Sequence, residues 1–143
     1  MKLRVLILAL LILVMSVGSV FATDSQNILQ NVEGTYSIDY HVRGSYLDVL
    51  KKCYGDKIII KDGCLNGWLL NVENIAKSAN DEYIVTCTYL LKGFGTPPPM
   101  VEAKLFIKLS DSGFAQKIDY QEFSSTGCPN GEWKTTMTFY KLN

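Results

Sequence analysis

Tyr36, Ile38, Tyr40 and Val42 alternate with Thr35, Ser37, Asp39, His41 and Arg43, so every second side chain after Gly34 is apolar. A period of two marks a strand with one buried and one wet face, and it constrains the fold more than any other feature of the chain. The same alternation recurs at Tyr83, Val85, Cys87, Tyr89 and Leu91, at Val101, Ala103, Leu105, Ile107 and Leu109, and at Trp133, Thr135, Met137 and Phe139. Turn signals separate the runs: Asp62-Gly63 favours a tight primed hairpin turn, and Ser110-Asp111-Ser112-Gly113 joins two long alternating segments. The pattern predicts seven strands, over 32–43, 56–61, 65–72, 82–92, 100–110, 113–123 and 132–141, with an eighth able to hide at the N-terminus.

One segment breaks the period. Ser45 to Asp48 has capping-box spacing, Tyr46, Leu47, Val49, Leu50 and Cys53 share a side, and Gly55 follows, which reads as one short helix between the first two strands. A sheet with one apolar face and a single short helix must cover itself with more sheet. The expected fold is all-β: an antiparallel up-and-down meander of seven or eight strands closed into a barrel, with a two-sheet sandwich as the alternative. Closure is favoured because it removes exposed edges.

Lys2 and Arg4 precede a Leu/Ile/Val run that ends in the small residues around Ala22, the layout of a cleavable secretory signal. Residues 1–22 are read as that signal and 23–143 as one domain, secreted or periplasmic and free of the membrane once cleaved. The chain carries 14 basic and 14 acidic residues, and loss of Lys2 and Arg4 leaves it mildly acidic. Its lysines alternate with acids and form no basic stripe, so nucleic acid is not an expected partner.

Export sets the reading of Cys53, Cys64, Cys87 and Cys128, since an oxidising compartment turns thiols into staples. Four cysteines allow three connectivities. In a simple meander Cys64 and Cys128 fall at one end, with Cys53 at the other and Cys87 mid-strand on the apolar face. That weights the pairing toward Cys64 with Cys128 and Cys53 with Cys87, each bridge contributing on the order of 4 kcal/mol on the chain-entropy account. No Cys-x-x-Cys pair exists and His41 is the one histidine, so no metal site and no cofactor are expected.

Catalytic candidates are sparse. His41 stands between Asp39 and Arg43 on the polar face, where an Asp/His pair orients a base in some enzymes, yet spacing ties no nucleophile to it. Asp81, Glu82, Asp111, Asp119 and Glu122 sit where solvated loops and strand ends belong, so no glycosidase-type pair is read from them. The chain is therefore expected not to be an enzyme.

The aromatic inventory is more informative. Tyr36, Tyr40, Trp68, Tyr83, Tyr89, Phe106, Tyr120 and Trp133 are strand aromatics, read as core or, if the barrel is too wide to fill, as the lining of a cavity for a small apolar molecule with the helix as its lid. Phe94-Gly-Thr-Pro97-Pro98-Pro99-Met100 is a stiff connection with a large apolar residue at each end, suited to docking a protein target, and it shares a mouth with the loop over 124–131.

Gly34-Thr35-Tyr36 opens the first strand where lipocalins and fatty-acid-binding proteins have Gly-x-Trp, and a short helix follows, as in the fatty-acid binders. On these residues and its layout the chain resembles that group of small secreted barrels, which implies a ligand held inside the barrel. In size, export and cysteine use it is also similar to small periplasmic lysozyme inhibitors, which implies a protein target instead.

Overall fold

The computed structural model describes residues 27–124 and 133–143. After a helical turn at 27–31 (α1), the order is β1 (Gly34–Tyr40), α2 (Ser45–Tyr54), β2 (Lys57–Lys61), β3 (Cys64–Leu65), β4 (Trp68–Leu69), β5 (Asn71–Lys77), β6 (Glu82–Leu90), β7 (Met100–Leu109), β8 (Ala115–Ser124) and β9 (Trp133–Lys141). The strands form one antiparallel sheet in the order β4-β3-β2-β1-β9-β8-β7-β6-β5. The sheet curls into a nearly closed barrel, with a short helix after the first strand.

The expected meander is present with one extra reversal. Asp62 and Gly63 take φ of 51° and 71°, and Lys61 pairs with Cys64, which is the primed hairpin expected from Asp-Gly. A second such turn follows at once, with Asn66 and Gly67 at φ of 50° and 81° and Leu65 opposite Trp68. The segment 65–72, expected as one strand, is therefore the end of β3, then β4, then the start of β5. Strand β5 itself escapes an alternation search, because a register shift between Val72 and Asn74 puts its half-buried residues, Val72 and Ile75, three positions apart.

The extra reversal changes which connections share an end. Helix α2, the 91–99 connection and the ends of β8 and β9 that bracket 125–132 gather at one end of the barrel. Helix α1, the 62–63 turn and the 78–81 and 110–114 turns occupy the other. The mouth carrying Phe94 and Met100 is thus the helix end, whereas a simple meander places them opposite it.

Inward positions fill the core: Tyr36, Ile58, Leu65, Val85, Leu105, Ile118 and Phe139 are all fully or almost fully buried. Each contributes on the order of 1.5–3 kcal/mol through burial. Ile28 of α1 and Val32 just after it close their end of the barrel, and the Val32 carbonyl accepts the Tyr36 hydroxyl at 2.5 Å. Helix α2 spans the expected residues, but its N-terminus is Gly44 with no side-chain cap, so the capping box at Ser45 is not formed. Gly55 ends it with φ of 74°, and its N–H bonds the Lys51 carbonyl at 2.8 Å.

The cysteines depart from expectation. Cys53, Cys64 and Cys87 are free thiols, so the Cys53–Cys87 bridge is not formed. Tyr54 rather than Cys53 enters the barrel from the last turn of α2, and Cys87 sits one inward position deeper on β6 than the Tyr89 that Tyr54 meets. The expected Cys64–Cys128 partner lies outside the described residues. The shared end that motivated that pairing is absent, since the turn before Cys64 and the ends of β8 and β9 fall at opposite ends. Cys87 has no exposed surface, and burial, with a smaller contribution from Glu73, pushes its thiol up to about 12. Ellman's reagent at pH 8 is expected to leave Cys87 unmodified in the folded protein and to modify it once urea unfolds the chain, as peptide mapping of the labelled thiols reads directly.

Candidate functional site

Three tyrosines and one carboxylate meet inside the barrel under α2. Glu122 on β8 and Tyr89 on β6 point inward by strand alternation, as does Tyr120, while Tyr54 comes from the helix. Their oxygens form a closed ring: Glu122 Oε2 to Tyr54 Oη at 2.5 Å, Tyr54 Oη to Tyr89 Oη at 2.6 Å, Tyr89 Oη to Tyr120 Oη at 2.5 Å, and Tyr120 Oη to Glu122 Oε2 at 2.9 Å.

Glu122 Oε2 accepts from both the Tyr54 and the Tyr120 hydroxyls, and the single Tyr89 hydrogen serves one of its two tyrosine neighbours. Glu122 is 5 % exposed, and burial raises its pKa above the ordinary 4.5 even though the tyrosine hydrogen bonds pull it down. Burial also raises Tyr54, Tyr89 and Tyr120, which remain neutral donors.

Aromatic rings pack around this polar centre. Trp68 stacks on Tyr89 with centroids 6.0 Å apart, meets Tyr54 edge-on at 5.9 Å and meets Phe94 at 6.4 Å, while Tyr120 contacts Phe139 at 5.1 Å. Two further bonds hold α2 down: Tyr46 Oη lies 2.9 Å from Thr135 Oγ1, and the Tyr40 hydroxyl donates to the Gly55 carbonyl at 2.6 Å. This part of the interior is occupied by the protein's own rings and hydroxyls.

Of the eight aromatics expected to line a ligand cavity, Trp68, Tyr89 and Tyr120 come together here, and Tyr36 and Tyr40 are spent on backbone carbonyls. Tyr83 sits apart, half-buried at the other end. Phe106 is a correction: it lies between the inward residues Leu105 and Ile107 and faces outward, across from Ile84 and Asp119. The side chain of Trp133 lies outside the described residues. Glu122, expected to be solvated, is the other correction, and its alternation with Tyr120 was the available signal. Tyr54, outside the expected helix face, carried no sequence signal beyond its place just before Gly55.

Open space lies on the flank of the barrel: a shallow pocket of about 380 Å³ beside His41, Phe106 and Asp119, and a larger groove beside β5. This groove of about 580 Å³ runs along β5 between that strand and α1, lined by Ile28, Asn31, Val72, Asn74, Ile75 and Tyr83 among others. Its lining mixes apolar side chains and asparagine amides with the charged Glu73 and Lys77.

The outer face holds the His41 cluster. His41 Nε2 lies 3.1 Å from Thr138 Oγ1 and 3.8 Å from Asp39 Oδ2, and the Thr138 hydroxyl donates to Asp119 Oδ1 at 2.9 Å. The hydroxyl proton thus goes to Asp119 rather than to His41, which is not how a base activates a nucleophile. Asp119 and Glu122 lie on opposite faces of β8 and cannot act on one substrate as a pair. At the α2 end, Phe94 and Met100 are exposed, as are Pro97 in the loop between them and the neighbouring Leu69 and Leu90; Pro98 and Pro99 are half-buried.

Burial of Glu122 has a measurable consequence. Because Glu122 holds its proton to higher pH in the fold than in the unfolded chain, its contribution to stability is complete below about pH 4.5 and declines as pH rises through the folded value. Urea unfolding should show Glu122→Gln about 1 kcal/mol less stable than wild type at pH 4.5. That gap should narrow or reverse by pH 8. Comparison with protein-family models, with curated proteins and with solved structures gives no match.

Proposed function

We propose that this chain is an exported binding protein without catalytic chemistry, and that it holds a small, partly apolar ligand in the groove beside β5. The carrying observation is the groove itself, whose volume of about 580 Å³ falls in the range of ligand sites. Ile28, Val72, Ile75, Tyr83 and Leu109 offer apolar contact, and Asn27, Asn31 and Asn74 offer orienting amides. The reading keeps the lipocalin-like expectation of a small ligand but moves the ligand from the barrel axis to the seam. Under α2, Trp68, Tyr54, Tyr89 and Tyr120 pack on one another where an axial ligand would enter.

A second reading, a protein target at the α2 end, is favoured by one observation. Leu69 is 70 % exposed and Met100 56 %, and Met100 pairs directly with the exposed Leu90 beside Phe94. Exposed apolar side chains gathered in this way suit a protein interface.

Native mass spectrometry of the exported protein separates the two. The first reading expects an adduct that denaturation removes, with occupancy falling roughly tenfold in Tyr83→Ala, as loss of one anchoring ring implies. Leu90→Glu with Met100→Glu should leave that adduct in place. Loss of a bound polypeptide in the Leu90/Met100 variant, with Tyr83→Ala unaffected, supports the second reading and overturns the first.

A further inference from the structure

The groove has an unusual wall. Strand β5 is last in the sheet order and pairs with β6 alone. Among the described residues no backbone hydrogen bond joins 71–77 to any other element. Alternate N–H and C=O groups of an edge strand point away from its partner, a ready template for another strand. Resting on the reading of this groove as the ligand site, we infer that its ligand is an extended polypeptide segment that adds to β5 along Asn74–Lys77.

Three observations select a peptide over a purely apolar molecule. First, the edge, unpaired among the described residues, presents donors and acceptors in the alternating order that an extended backbone complements. Second, Asn27, Asn31 and Asn74 offer amides that both donate and accept, as peptide groups do. Third, Val72, Ile75, Tyr83 and Leu109 form apolar contacts for side chains on one face of the added strand, and Ile28 of α1 contacts it from across the groove.

The same geometry limits the site. The irregularity between Val72 and Asn74 breaks the edge, and the regular register runs from Asn74 opposite Thr86 to Lys77 opposite Tyr83. Four residues at about 3.3 Å each give roughly 13 Å of usable edge, enough for a short strand and no more. The Lys77 ammonium is already held by Asp81 at 3.0 Å and lies over the Tyr83 ring, so it does not claim the ligand.

The test uses the folded protein and a capped hexapeptide of alternating valine and threonine, with its fully N-methylated form as the control that cannot pair. Amide exchange followed by NMR should slow at alternate positions within 74–77 when the peptide is added. N-methylation should weaken binding at least about tenfold, through loss of the backbone bonds. Equal binding of the methylated peptide, seen as shifts at Ile28 and Tyr83, overturns strand addition and leaves the groove as a ligand site. So does binding of a small apolar dye where the peptide does not bind. Protection at 74–77 without peptide that grows with protein concentration assigns the edge to a second copy and also overturns the inference. If neither peptide nor dye perturbs the groove, both the inference and the proposed function fall.

Discussion

Tyr54 is the residue on which the upper half of the barrel depends. It is the last residue of α2, and its hydroxyl is one corner of the oxygen ring that includes Tyr89, Tyr120 and Glu122. One side chain thereby ties α2 to β6 and β8 at once. Its ring gives Trp68 an edge to pack against, and Trp68 carries β4 onto β6 across the place where the sheet would otherwise gape. Glu122 at the centre of this arrangement is a buried polar group whose cost is offset by the Tyr54 and Tyr120 hydroxyls that donate to it.

How much of this was legible follows from which physical signals are local. Alternation revealed the long strands, since Val85, Cys87 and Tyr89 or Leu105 and Ile107 keep one face for many residues. The Asp62-Gly63 turn was legible for the same reason that it forms: both residues tolerate positive φ. Asn66-Gly67 carries an equally strong signal, but two-residue strands on either side leave no alternation to frame it. Strand β5 was hidden by its own irregularity, which shifts the apolar face in mid-strand.

The site was less legible than the fold. Glu122 looks like a solvated acid until Tyr54 arrives from another element to complete its ring, and no sequence spacing links residues 54 and 122. Free thiols at Cys53 and Cys87 follow from the same insertion, because the ring layer occupies the level at which a bridge from the helix would cross. The groove is legible only in three dimensions, since it exists where β5 and α1 fail to meet.

The small hairpin at Asn66-Gly67 has an architectural effect out of proportion to its size. By adding one reversal it sends the connections 41–56 and 91–99 and the facing ends of β8 and β9 to the same pole of the barrel and leaves tight turns at 62–63, 78–81 and 110–114 to the other. One pole is then free to lengthen and drift, as long surface loops do, while the pole beside α1 stays clamped by short turns. Sequence change at the first pole can proceed without disturbing the lower end of β5, so the barrel separates the part of the molecule that can vary from the part that must hold its shape.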